Sequence, residues 1–143
     1  MSGPTDVRAE LLRAIDARDA NAFECAVAAA FGAGLPVDLA NVLAAALLMP
    51  WHTRHEDLAT ALQRMKDPGA IDALFEAALS RHDYLDYDEF FGLARKCTWA
   101  LADIGTPAAR DRLRELGRAK NATIAGYAQK LDSWEKELPR KRA

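Results

Sequence analysis

Residues 61–70 and 100–109 carry the same succession of residue types, and this repeat narrows the possible folds more than any other property of the chain. Ala61-Leu62 aligns with Ala100-Leu101, Met65 with Ile104, Asp67-Pro68 with Thr106-Pro107, and Ala70 with Ala109. The offset of 39 residues continues through Asp72 to Asp111 and Leu74 to Leu113. At an offset of 31, Leu93, Cys97 and Ala100 correspond to Ile124, Ala128 and Leu131. Self-similarity at such a period marks stacked units, each too small to bury its own apolar face.

The units are helical. Among 143 residues there are 30 Ala and 18 Leu but only 8 Val and Ile together. Helices favour Ala, Leu, Arg and Glu, whereas strands favour β-branched and aromatic side chains, so a sheet-rich fold is excluded. The length is that of one domain.

Apolar spacing at the helical period gives eight stripes. They are Val7, Leu11, Leu12 and Ile15; Phe23, Val27, Ala30 and Phe31; Leu39, Val42, Leu43, Ala46 and Leu47; Leu58, Ala61, Leu62 and Met65; Ile71, Leu74, Phe75 and Ala78; Phe90, Leu93, Ala94, Cys97, Leu101 and Ile104, the longest; Leu113 and Leu116; and Ile124, Ala128, Leu131 and Leu138. Gly32, Gly34 and Pro50 punctuate the first half. Thr53 with Glu56, and Asp86 with Glu89, have capping-box spacing. Asp67-Pro68 and Thr106-Pro107 each set a capping side chain before a proline at the first helical position.

The segment Leu93, Cys97, Ala100-Leu101, Ile104-Gly105, Thr106-Pro107, Ala109 and Leu113 resembles the short bacterial form of the HEAT repeat. The resemblance covers 54–138 well and 5–50 loosely; Ala94 stands where the family often has Arg. It implies an all-α fold, a short right-handed α-solenoid of about eight helices forming one domain over 1–138, and the basic run at 139–143 reads by its charge as a disordered tail. It also implies that 54–66, 87–104 and 122–138 are second helices on the concave face. The segments near 38–49, 68–81 and 107–118 would be first helices on the convex face. Fold alone does not fix an activity.

Charge is divided along the chain. Residues 1–109 hold 9 basic and 16 acidic side chains, and residues 110–143 hold 10 basic and 5 acidic, for a net of −2. An acidic body of this kind argues against nucleic acid and against an anionic membrane. The longest uncharged apolar run, Val42 to Trp51, is too short to span a bilayer. No signal peptide is visible, Cys25 and Cys97 read as reduced and buried, and the expected location is cytoplasmic.

Antiparallel helices alternate direction, so alternate loops share an edge. The loops at 49–53, 82–87 and 119–121 then lie together. They bring Trp51, His52, Arg54 and His55 beside Arg81, His82, Asp83, Tyr84 and Tyr87. Loops rich in aromatic and titratable groups commonly carry function. Three readings follow: the histidines cap helices and bond the loops, they form a partner-binding edge, or His52, His55 and His82 or Asp83 ligate a metal. A second candidate surface lies on the face that the resemblance makes concave. Arg95 and Trp99 are one turn apart, and the offset of 31 sets Lys130 opposite Trp99 and Trp134 opposite Asp103. Tryptophan anchors interfaces well, and the alternative is that Trp99 packs between repeats while Trp134 caps the open end of the solenoid.

No Gly-rich phosphate loop, nucleophile elbow or paired-Cys motif is present, so no catalytic residue, metal or cofactor is assigned. The expected function is a non-enzymatic protein-binding module, an adaptor or scaffold, or an immunity protein that blocks a toxin. Its partner would be another protein, and its oligomeric state is left open. The enzymatic alternatives implied by the resemblance are a bilin-lyase-like or a DNA-glycosylase-like activity.

Overall fold

A computed structural model of the chain describes residues 6–85 and 91–137, with side chains as far as Asp132 in the last helix. The described residues form eight α-helices and no strand. They are α1 (Val7–Ala17), α2 (Ala20–Gly32), α3 (Ala40–Leu47), α4 (His55–Met65), α5 (Ile71–Ala78), α6 (Gly92–Ile104), α7 (Pro107–Leu116) and α8 (Ala122–Glu137). Short 3-10 turns lead into α3 (Val37–Leu39) and α5 (Pro68–Ala70), and a third, Asp83–Leu85, lies between α5 and α6. The fold is all-α, as the stripes predict. The longest described helix is α8 rather than α6, with 16 residues against 13.

Consecutive helices pair as hairpins: α1 on α2, α3 on α4, α5 on α6 and α7 on α8. Contacts also run α1 to α3 to α5 to α7, and α2 to α4 to α6 to α8. The helices therefore stand in two rows, odd-numbered and even-numbered. Most residues of the amphipathic stripes are buried or partly buried between the rows, whereas Leu12 of the first stripe is exposed. Leu11, Phe23, Leu47, Leu58, Leu62, Leu74, Leu101, Leu113 and Leu116 are fully enclosed. Burial of each such side chain contributes roughly 1.5–3 kcal/mol. Ala59, Ala61, Cys97, Ala100 and Ala128 are also buried, and their small side chains let α4, α6 and α8 approach closely. Ala94 is buried too, where an arginine would bring a charge into the core.

The 39-residue offset holds in three dimensions. Ala61 and Ala100, Leu62 and Leu101, Ala70 and Ala109, and Leu74 and Leu113 are all buried. Asp67 and Thr106 both cap: the Asp67 carboxylate accepts from the Gly69 amide at 2.7 Å and the Thr106 hydroxyl from the Ala109 amide at 3.2 Å. Pro68, however, opens a 3-10 turn, and α5 itself begins at Ile71. Lys66 and Gly105, also 39 apart, both end their helices in the left-handed conformation, with φ of 53° and 68°.

Two expectations are corrected. The Thr53–Glu56 capping box does not form, because the cap residue of α4 is Arg54, whose own side chain makes no capping bond. Cys25 is exposed, since the inward face of α2 takes Phe23, Ala26, Val27 and Ala30 and leaves residue 25 outside it. Cys97 is buried as expected. The Asp86–Glu89 box, Phe90, Leu138 and the tail at 139–143 lie outside the described residues.

Candidate functional site

The loop after α3 and the loop after α5 do meet, and they meet through a column of rings. Phe23 on α2 lies 4.6 Å from His52 between ring centroids. His52 stacks on His55 at 4.2 Å with an interplanar angle of 19°. His55 stacks on His82 at 3.7 Å and 24°. Trp51 packs edge-on against both Phe23 and His52, at 5.3 and 5.1 Å. Tyr84 closes the outer end, 5.6 Å from His55 and 6.1 Å from His82.

Hydrogen bonds fix the two inner rings. His52 donates from Nε2 to the Ala46 carbonyl at 2.8 Å and accepts at Nδ1 from the Arg54 amide at 3.0 Å. His55 donates from Nε2 to the Met49 carbonyl at 2.6 Å. At Nδ1 it accepts from the Tyr84 hydroxyl at 2.6 Å, and the same hydroxyl oxygen accepts the His55 backbone amide at 3.2 Å. These bonds use backbone groups at helix ends: the carbonyls of Ala46, which also accepts the Met49 amide, and of Met49 just beyond α3, and amides at the N-terminus of α4. A carbonyl only accepts, so Nε2 carries the hydrogen in both rings. Ser80 donates its one hydroxyl hydrogen to the Ala77 carbonyl at 2.6 Å, so the 3.3 Å contact to His82 Nε2 draws its hydrogen from the ring.

The inner rings are held neutral. His52 and His55 are 1% and 0% exposed. Burial lowers the pKa of His52 from its ordinary 6.5; the bond to Ala46 opposes this, and His82 and Arg54 add to it. Burial lowers His55 to about 4, opposed by the bond to Met49 and reinforced by His52 and His82. Burial likewise raises the Tyr84 phenol, while its bond to His55 pulls the other way.

The remaining candidates separate by location. His52 and His55 offer no surface to a partner, and Trp51, His82 and Tyr84 are half-buried in the same column. Arg81 and Asp83 are exposed beside it. Arg54 turns away, bonding Glu24 at 2.6 Å and Asp57 at 3.4 Å. Tyr87 lies outside the described residues, as does the side chain of Trp134. On α6, Arg95 and Trp99 are both exposed, and Lys130 is exposed on α8. As to a metal, the three rings stack face to face instead of converging, and both nitrogens of His52 and of His55 are bonded to protein. Among the described residues no group of three or more His, Cys, Asp or Glu is arranged to hold an ion.

Several contacts escape a reading by helical period, because they join different helices. Arg64 lies over the Phe31 ring at 5.3 Å and Arg112 over Phe75 at 4.4 Å. Arg112 also bonds Asp72 at 3.0 Å, and Gln63 bonds Asp103 at 2.8 Å. The last two pairs lie 40 residues apart, one step beyond the repeat offset, which is the signal that could have found them. None of the described helices is long and apolar enough to cross a membrane. Comparisons with protein-family models, with curated proteins and with solved structures return no match.

Proposed function

We propose that this chain is a non-enzymatic protein-binding module of HEAT-like helical repeats, an adaptor or an immunity-type protein that works in the cytoplasm. The partner is taken on the outward face of the even-numbered helices, the face that the HEAT resemblance makes concave. The observation that carries this reading is Trp99, left 38% exposed in the middle of α6; the other exposed large apolar side chains among the described residues, Leu12, Val37, Leu48 and Leu79, are aliphatic. A large aromatic side chain half in water at the centre of a helical row is the usual anchor of an interface. Arg95, one turn earlier on the same face, adds a charged group that packs well on aromatic partners.

The histidine column serves this reading as scaffold. It ties α3, α4 and the α5–α6 connection together and so sets the attitude of α6. An acid–base enzyme would need those imidazoles to meet a substrate, but His52 and His55 commit all four nitrogens to protein groups.

Site-specific photocrosslinking in cells that express the protein tests the proposal. A photoreactive residue at position 99 or 95 is expected to capture a protein partner, and one at Ala108, exposed on α7 of the other row, is not. Equal capture from both rows, or none from position 99, counts against it.

A further inference from the structure

We infer that the outward face of α6 and α8 is a docking surface for an acidic segment of another protein that carries an aromatic or large apolar anchor. The inference rests on the protein-binding reading above and adds the chemistry of the partner. On α6 the inward positions are taken by Leu93, Ala94, Cys97, Thr98 and Leu101, all buried. The outward positions are Arg95, Lys96 and Trp99. Lys130, exposed on the neighbouring helix α8, corresponds to Trp99 at the 31-residue offset.

The charge on this face runs against that of the surrounding chain, where acidic side chains outnumber basic ones over residues 1–109. Its one described outward carboxylate, Asp103, accepts a bond from Gln63 at 2.8 Å. Asp132 on α8 turns toward α7 and lies 3.7 Å from Arg114. Three cations around an aromatic plate complement carboxylates flanking an apolar side chain, and such complementarity sets specificity and encounter rate.

The neighbouring half of the same row limits what can bind. There Glu24 and Asp57 share Arg54, with Glu56 beside them. A polyanion extending along the row leaves the cations and meets these carboxylates. A short acidic peptide segment does not, which favours protein over nucleic acid, although bases can also stack on Trp.

Selection from a random peptide library displayed on phage, against the wild-type chain, tests this. Enrichment of Asp and Glu around Phe, Tyr or Trp is expected, with binding that weakens as salt rises. Trp99→Ala, and Arg95→Glu combined with Lys130→Glu, should each weaken a selected peptide at least about tenfold. These are surface changes, and circular dichroism checks that the helices persist. Enrichment of neutral or basic peptides, indifference to the variants, or tighter binding of an oligo-dT strand overturns the inference. A partner crosslinked at position 99 without acidic enrichment overturns this inference and leaves the protein-binding reading standing. Failure of both experiments removes both.

Discussion

Tyr84 and His55 hold each other by two hydrogen bonds of opposite sense. The phenol donates to the imidazole Nδ1 at 2.6 Å and accepts the backbone amide of the same residue at 3.2 Å. One hydroxyl thereby orients a buried ring and caps the start of α4 from 29 residues away. Tyr84→Phe keeps the ring and removes both bonds, leaving a buried ring nitrogen without its donor. The expected cost is about 1–3 kcal/mol in urea denaturation. Hydrogen exchange at the His55 amide should quicken more than exchange in α7. A stability change within error, with unchanged exchange at His55, would mean that the clamp contributes nothing.

The same column makes stability depend on pH in a defined direction. His55 has a pKa of about 4 in the fold against 6.5 unfolded, and His52 is lowered as well. As pH falls, the unfolded chain takes up protons first, so acid favours unfolding. The contribution of His55 is fully present above pH 6.5 and is lost as pH falls from there to about 4. The loss amounts to roughly 3 kcal/mol across that window. The other charged groups near the column are Arg54, Glu56 and Asp57, with Asp83 exposed beside it. Urea midpoints for wild type and His55→Gln at about pH 7 and about pH 5 separate the two sources. The variant should show a distinctly smaller drop; an equal drop would place the pH dependence elsewhere.

What could be read from the sequence was local, and what could not be read crosses between helices. Each stripe became a helix because its apolar residues recur on one side. Asp67 and Thr106 cap because the amides they reach lie two or three residues away. Thr53 does not cap because α4 starts one residue later than its spacing assumes, with Arg54 at the cap position and the His55 amide taken by Tyr84. Loop alternation brought His52, His55 and His82 to one edge. It could not say that His52 turns inward onto Phe23 with His55 stacked behind it, because that depends on how α2 packs beside α4.

The two cysteines should differ sharply in reactivity. Cys25 is exposed on α2 beside Glu10 and Arg13 of α1. Cys97 is enclosed in α6, and burial pushes its thiol well above the ordinary range. Thiolate is the reactive form, so a thiol reagent should modify Cys25 in the native protein and reach Cys97 only on unfolding. Mass spectrometry after brief alkylation with and without urea reads this directly. Prompt native labelling of Cys97 would contradict the packing between α4, α6 and α8.

Lys66 and Gly105 occupy equivalent places in the repeat and predict opposite responses to substitution. Each closes its helix in the left-handed conformation, and each donates its amide to a leucine carbonyl four residues back, Leu62 at 3.0 Å and Leu101 at 3.1 Å. A glycine adopts this conformation freely, whereas a side chain strains against its own carbonyl. The space around a Cβ at Gly105 is ordinary, with the nearest atom at 3.4 Å, so the backbone angle governs the effect. Gly105→Ala should therefore destabilise by about 1 kcal/mol. Lys66→Gly should stabilise by about 0.5–1 kcal/mol, reduced by the entropy that glycine adds to the unfolded chain. Thermal melts of both variants beside wild type test the pair. Shifts of the same sign at the two positions would refute the structural equivalence of the two copies.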